Sequence, residues 1–167
     1  MPRIAPAVSA MLKVGPLDAP TPPRTGRRAK AQDAELLGRV PIFADLSKRH
    51  LRRIASVAGE ARFRPGATIV QEGTAGEAFH VILDGNAKVV IRGRTIDRMG
   101  PGQFFGEIAL LDGAPRTASV IAETPLVTIR IYRRGFVKLL ETEPSMTVKI
   151  LGEVARRVRQ HSRTLVD

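Results

Sequence analysis

The sequence predicts a small antiparallel β jelly-roll or barrel with helices on both sides of it. Two observations carry that expectation. Between Phe63 and Ile131, short segments rich in Val, Ile and Phe alternate with Gly, Pro and Asp turn signals at about ten-residue intervals, the pattern of strands joined by tight connections. On either side of that run, the apolar residues switch to helical spacing. The length of 167 residues leaves room for one domain and a tail.

Residues 1–33 read as a disordered basic arm. Pro2, Pro6, Pro16, Pro20, Pro22 and Pro23 interrupt them, with Gly15 and Gly26 between, and no periodicity is sustained. A short apolar patch from Ile4 to Leu12 could form a turn or two of helix on a partner. The domain proper is expected over 34–167. Its N-terminal helices fall within 34–60: a short one at about 34–38 carrying Leu36 and Leu37, and a longer one at about 47–57. In the second, Leu51, Ile54, Ala55 and Ala58 share a face and Ser47 stands as N-cap.

The β roll spans 61–132, with strands at about 68–71, 78–83, 87–91, 95–99, 117–121 and 127–132. Pro101 and Pro125 fall at segment edges, where a missing ladder donor is tolerated. Two C-terminal helices close the chain over 135–167. Phe136, Val137, Leu139 and Leu140 mark the first, which stops before Pro144. The last opens at Ser145 and carries Val148, Leu151, Ala155, Val158 and Ser162 as a stripe, suited to packing on the barrel or on a second subunit.

Composition removes several chemistries. The absence of cysteine excludes disulfide scaffolds, thiol nucleophiles and cysteine-ligated metal sites. His50, His80 and His161 are too widely spaced to suggest a metal site, and His80 reads as a satisfied core histidine. The His-x-His pattern of metal-dependent barrels is missing, and no nucleophile–base pair is visible, so no enzymatic activity is expected. No window offers the roughly 18 consecutive apolar residues of a membrane span. No signal-peptide layout opens the chain, and a cytoplasmic location is the expectation.

The formal charge of +11 divides unevenly: residues 1–32 carry +5, residues 33–144 only +3, and residues 145–167 another +3. A nearly balanced middle therefore lies between two basic ends. Alone, such ends would suggest nucleic acid, but the arm has no aromatic residue for base stacking.

One segment between two strands carries chemistry. Gly106 allows close backbone approach, Glu107 to Leu111 offers a short helical turn with outward N–H groups, Asp112-Gly113 turns the chain, and Arg116 follows. A guanidinium beside free N–H groups suits a phosphate oxygen pair. The carboxylate of Glu107 would repel phosphate but accepts hydrogen bonds from hydroxyls, as on a ribose. Together these are the demands of a nucleotide.

Gly106-Glu107-Ile108-Ala109-Leu110 with Pro115-Arg116-Thr117-Ala118 resembles the phosphate-binding cassette, here 104–118, of the cyclic-nucleotide-binding domain family. The likeness runs from Leu36 through Phe63-Arg64-Pro65-Gly66, Gln71-Glu72-Gly73 and Asp84-Gly85 to the closing helices. It implies a ligand-binding set of Gly106, Glu107, Ile108, Ala109, Arg116, Thr117 and Ala118. Within that set Glu107 would hold the ribose 2′-hydroxyl, and Arg116 the equatorial phosphate oxygen. The N–H groups of Gly106, Ile108, Thr117 and Ala118 would take the remaining polar edges. Thr117 is compatible with cyclic AMP and cyclic GMP alike. The resemblance further implies an apolar wall, for which Val70, Phe79, Leu83 and Val89 are candidates, and a base cap from the last helix, where Arg156, Arg157 or Arg159 could stack.

The expected function is a stand-alone cyclic nucleotide sensor, with cyclic AMP or cyclic GMP as ligand and no cofactor. It would move its C-terminal helices on binding and act in trans on an unknown protein partner, and a homodimer through the last helix is possible. No specific DNA binding is expected, because no helix-turn-helix follows the last helix in this chain. The alternatives are an interaction protein with a vestigial pocket, or a protein associated with nucleic acid through its basic arm.

Overall fold

The computed structural model describes residues 26–107 and 109–166, the side chains of Arg157 and of 160–166 excepted. The expectations for 1–25, including the apolar patch at 4–12, and for Ile108 lie outside the described residues. Eight strands form two antiparallel four-stranded sheets flanked by helices. The first sheet is ordered β1 (Ala58–Phe63), β8 (Leu126–Tyr132), β3 (Ala78–Asp84), β6 (Phe104–Phe105). The second is ordered β2 (Thr68–Val70), β7 (Ser119–Ala122), β4 (Ala87–Ile91), β5 (Arg94–Met99). The predicted antiparallel β roll with flanking helices is the observed architecture.

Helix α1 covers Gly26–Leu37, so the arm expected to run to residue 33 gives way to helix at Gly26. The reason lies in packing: Ala29, Ala34, Leu36 and Leu37 are buried. Lys30 also reaches across, its Nζ donating to the carbonyls of Ala55 at 2.9 Å and Ala58 at 2.5 Å. A cation on the open carbonyl end of the next helix is stabilised by the helix dipole and by the hydrogen bonds themselves. That helix, α2 (Lys48–Ser56), begins as predicted, with the Ser47 hydroxyl accepting from the His50 N–H at 3.2 Å.

Strand β1 lies where the second helix was expected to end, and it pairs with β8 in continuous register from Ala58–Ile131 to Phe63–Leu126. Its sequence, Ala-Gly-Glu-Ala-Arg-Phe, has little β propensity. The pairing with β8, among the most apolar strands, makes it a strand. β6 has two residues, too few to show a period. β7 starts at Ser119 rather than 117, because Pro115 and Arg116 are tied to the β2–β3 loop.

After the four-residue α3 (Ala109–Asp112), the closing helices are α4 (Arg133–Thr142) and α5 (Pro144–Val166). Proline in the first turn of α5 is tolerated because its missing N–H would be unpaired there anyway.

Two apolar clusters hold the layers together. The larger joins the helices to the first sheet through Leu37, Phe43, Ile54, Phe79, Ile129 and Phe136. Phe43 meets Phe79 edge-on at 6.2 Å and Phe136 at 5.8 Å. The smaller joins the two sheets through Ile82, Met99, Phe105, Val120 and Leu126. On α5, Met146 and Ile150 are buried in the larger cluster, with Val154 packed against it. The predicted stripe is a different face: Val148, Leu151, Ala155 and Val158 are all exposed. Of the two roles expected for the stripe, packing on the barrel is not the one observed, because Met146 and Ile150 already fill that contact.

Candidate functional site

The segment bearing Arg116 is strapped to the β2–β3 loop. Arg116 N–H donates to the Thr74 carbonyl at 2.8 Å, Gly73 N–H donates to the Arg116 carbonyl at 2.8 Å, and Ala75 bridges Pro115. With its backbone fixed, the guanidinium crosses to β3, where Nη2 donates to the Ala78 carbonyl. Its other side lies on Gly106, whose φ is +85° and where a Cβ would overlap Nη1. The positive φ favours glycine there, and a larger residue would also displace the guanidinium. Gly76 is fixed for a similar reason: a Cβ there would overlap the Ala109 Cβ, so this close contact seats the cassette turn against the loop. Partial burial lowers the pKa of Arg116 from its ordinary value while the Glu77 carboxylate opposes the shift.

Arg116 lines a cavity of about 370 Å³ that opens between the first sheet and β2. Ile69 and Val70 form an apolar side of it, and His80, Arg130 and Tyr132 come from the first sheet. His80 is buried, stacked on Phe105 with ring centroids 5.0 Å apart and edge-on to Phe63 at 6.0 Å. Its Nδ1 is 2.9 Å from the hydroxyl of fully buried Thr128. Burial, with Arg130 and Arg116 nearby, pushes the His80 pKa down to about 3, so the ring is neutral at physiological pH. The Arg130 guanidinium lies 4.6 Å from the centre of the Tyr132 ring.

The N–H groups of Gly106, Glu107, Thr117 and Ala118 are taken up by no turn or loop carbonyl among the described residues. Glu107 is half-buried at the start of the cassette turn and does not line the cavity with Arg116. Ala109 is buried under Gly76, Thr117 is exposed, and Ala118 is half-buried.

Of the four expected wall residues, Val70 lines the cavity and Val89 packs on the cluster between the sheets. Phe79 and Leu83 do not belong to the wall: both are fully buried in the helix-side cluster. Strand alternation is the cause, since odd-numbered residues of β3 face the helices and Ala78, His80 and Ile82 face inward. Arg156 is not at the cavity either, because it pairs with Asp45 and with Glu153. Arg159 is exposed and does not line it, and the Arg157 side chain lies outside the described residues.

Sequence reasoning missed Glu77, Arg130 and Tyr132 and placed His80 in the core. A polar residue at an even position of an otherwise apolar β3 was the available signal. Its pairing with Arg130, 50 positions away in the chain, appears only once β3 and β8 are in register.

Residues 60–143 match the family model of the cyclic nucleotide-binding domain. The chain belongs to that family. It is 37% identical over 110 residues to the cAMP-dependent protein kinase regulatory subunit of Aspergillus fumigatus, covering 62% of this chain and 26% of that one. The corresponding subunit of Yarrowia lipolytica is 35% identical over 106 residues, 62% of this chain and 28% of that one. The chain thus spans about a quarter of the length of these curated relatives.

Among solved structures, the N-terminal domain of a transcriptional regulator from Streptomyces coelicolor superposes with a TM-score of 0.70 at 27% identity, covering 75% of this chain and 94% of that one. A cyclic nucleotide-binding-like protein from Brucella abortus gives 0.61 at 30% identity, covering 65% and 97%. No helix among the described residues is long and apolar enough to cross a membrane.

Proposed function

We propose that this protein is a cytoplasmic, non-enzymatic sensor of a cyclic nucleotide, cyclic AMP or cyclic GMP, with a regulatory role toward a protein partner. The observation that carries the reading is the Arg116 guanidinium, which lies against Gly106 of the cassette, donates to the Ala78 carbonyl and borders a cavity. A cyclic phosphate would supply a negative charge and acceptor oxygens suited to a guanidinium. The kinship with kinase regulatory subunits supports the regulatory role. In this reading Glu107 turns toward the ribose as the cassette closes, and no cofactor takes part.

A route from cassette to closing helices is available through Arg133, the first residue of α4. Its N–H donates to the Glu77 carbonyl at 2.8 Å and its Nη2 to the Leu111 carbonyl at 3.2 Å, so displacement of α3 is felt at α4. Ligand binding then shifts the closing helices by the difference in its affinity for the two arrangements. The exposed apolar face of α5 is the surface through which a homodimer would form.

Titration calorimetry with both cyclic nucleotides tests the proposal. Wild type should bind at least one, and Arg116→Ala should lose on the order of 2–5 kcal/mol of binding free energy, the scale for removing one partner of a buried charged pair. Equal heats for the two proteins would overturn it.

A further inference from the structure

Helices α1 and α2 leave a groove of about 520 Å³ between them, and it shares no residue with the cavity at Arg116. Its floor is apolar: Ala31 and Ala34 come from α1, Gly38 follows that helix, and Leu51 comes from α2. Gly38 and Leu51 meet closely, since a Cβ on the glycine would stand 3.0 Å from the Leu51 Cδ1. Leu51 packs on the larger cluster yet is only partly buried, so it also offers apolar surface to the groove.

The rim is basic. Arg39, Lys48 and Arg52 border the floor, and the one carboxylate among the groove residues, Glu35, lies 3.8 Å from Arg39. Lys48 and Arg52 are exposed and form no ion pair among the described residues. The whole of α2, Lys-Arg-His-Leu-Arg-Arg-Ile-Ala-Ser, carries four Lys or Arg residues and no acid. Two of them, Lys48 and Arg49, stand in its first turn, where the positive end of the helix dipole disfavours cations. Carboxylates brought from outside would offset both the crowding of like charges and the dipole.

We infer that this groove docks an acidic amphipathic segment of a protein partner. An apolar side chain of that segment seats on Leu51 and Gly38, and its carboxylates face Arg39, Lys48 and Arg52. The chain's own arm is a poor match in charge, since residues 1–25 carry Arg3, Lys13 and Arg24 against Asp18 alone. Nucleic acid would find no aromatic side chain in the groove on which to stack a base. A membrane is met by large apolar side chains on the outward face of a helix, whereas the outward residues of α2 are Lys48, Arg49, Arg52 and Arg53.

The test is fluorescence anisotropy of the full chain at low ionic strength with two labelled helical peptides. One has leucines at i and i+4 among glutamates, and its twin has serines in place of the leucines. Wild type should bind the leucine peptide about ten-fold or more tightly than the twin, the scale of burying one leucine side chain. Lys48→Glu combined with Arg52→Glu should weaken that binding about ten-fold or more, because like charges then face each other across the groove. Arg134→Glu combined with Lys138→Glu makes the same change of charge on exposed positions of α4, and should leave the affinity within about two-fold. All the substituted positions are exposed and an acid at 48 suits the start of α2, so both variants should keep their unfolding midpoints. Equal affinity for the two peptides, an equal loss in the two double variants, or no binding overturns the inference. A single-stranded oligonucleotide and phosphatidylserine vesicles are titrated alongside. If Lys48→Glu with Arg52→Glu weakens either of these and not the leucine peptide, the surface belongs to nucleic acid or lipid and the inference falls.

Discussion

On the helix-facing side of β3, Phe79, Val81 and Leu83 are buried among aromatic and aliphatic neighbours, whereas on the inner side Ala78 and His80 border a cavity. The same division runs along β8, where Val127, Ile129 and Ile131 are buried in the larger cluster and Thr128, Arg130 and Tyr132 turn inward. Alternation of side chains across a strand thus gives the sheet one face buried in the larger cluster and another that carries His80, Thr128 and Arg130 beside the apolar Ile82 and Leu126. The inner face holds a buried neutral histidine and an arginine that lies over the Tyr132 ring.

Substitutions on the two faces should separate accordingly. Phe79→Ala removes a fully buried ring that contacts Phe43 and Phe104, and should cost about 3–5 kcal/mol of stability, read as a lower midpoint in urea unfolding. A loss of ligand affinity in that variant without loss of stability would return Phe79 to the pocket wall and break the comparison.

His80→Gln sharpens it through pH. The unfolded histidine takes a proton near pH 6.5 and the folded one only near 3, so between these values the unfolded chain holds more protons. Stability should therefore fall as pH drops through that window, by up to about 1.4 kcal/mol per unit, and be insensitive to this group above 6.5. Unfolding midpoints of wild type and His80→Gln at pH 7.5 and 5 should converge or cross toward the lower pH. Parallel curves would show that His80 is not buried as a neutral ring.

Leu151→Ser on the open face of α5 should change the stability of a single chain by less than about 0.5 kcal/mol. If that face joins two copies, sedimentation should show weaker self-association in the variant at unchanged single-chain stability. A large loss of stability at low protein concentration would mean that the stripe packs within its own chain.

The cassette was legible because its constraints are local. Gly106 must accept a positive φ, Arg116 follows at fixed spacing, and the turn residues between them leave few alternatives. The strands from β2 to β5 were legible from alternation and turn residues for the same reason. β1 was not, since Ala-Gly-Glu-Ala-Arg-Phe becomes a strand only by pairing with β8. The wall was half legible: Val70 was found, but choosing Phe79 and Leu83 required knowing which face of β3 meets the helices. Arg156 was legible as exposed and basic, yet its pairing with Asp45, 111 positions earlier, depends on how α5 lies across the loop before α2.

By itself the sequence determined a β roll between helices, a nearly neutral middle between basic ends, and a glycine-to-arginine segment that resembles the family's cassette. Each of these is written in residues close together in the chain. Tertiary structure decided which face of each strand is core and where the basic arm becomes helix. It also set Arg130 beside His80 and left the apolar stripe of α5 exposed. These features arise from contacts between residues distant in sequence, and their energies exist only once the sheets and helices have been brought together.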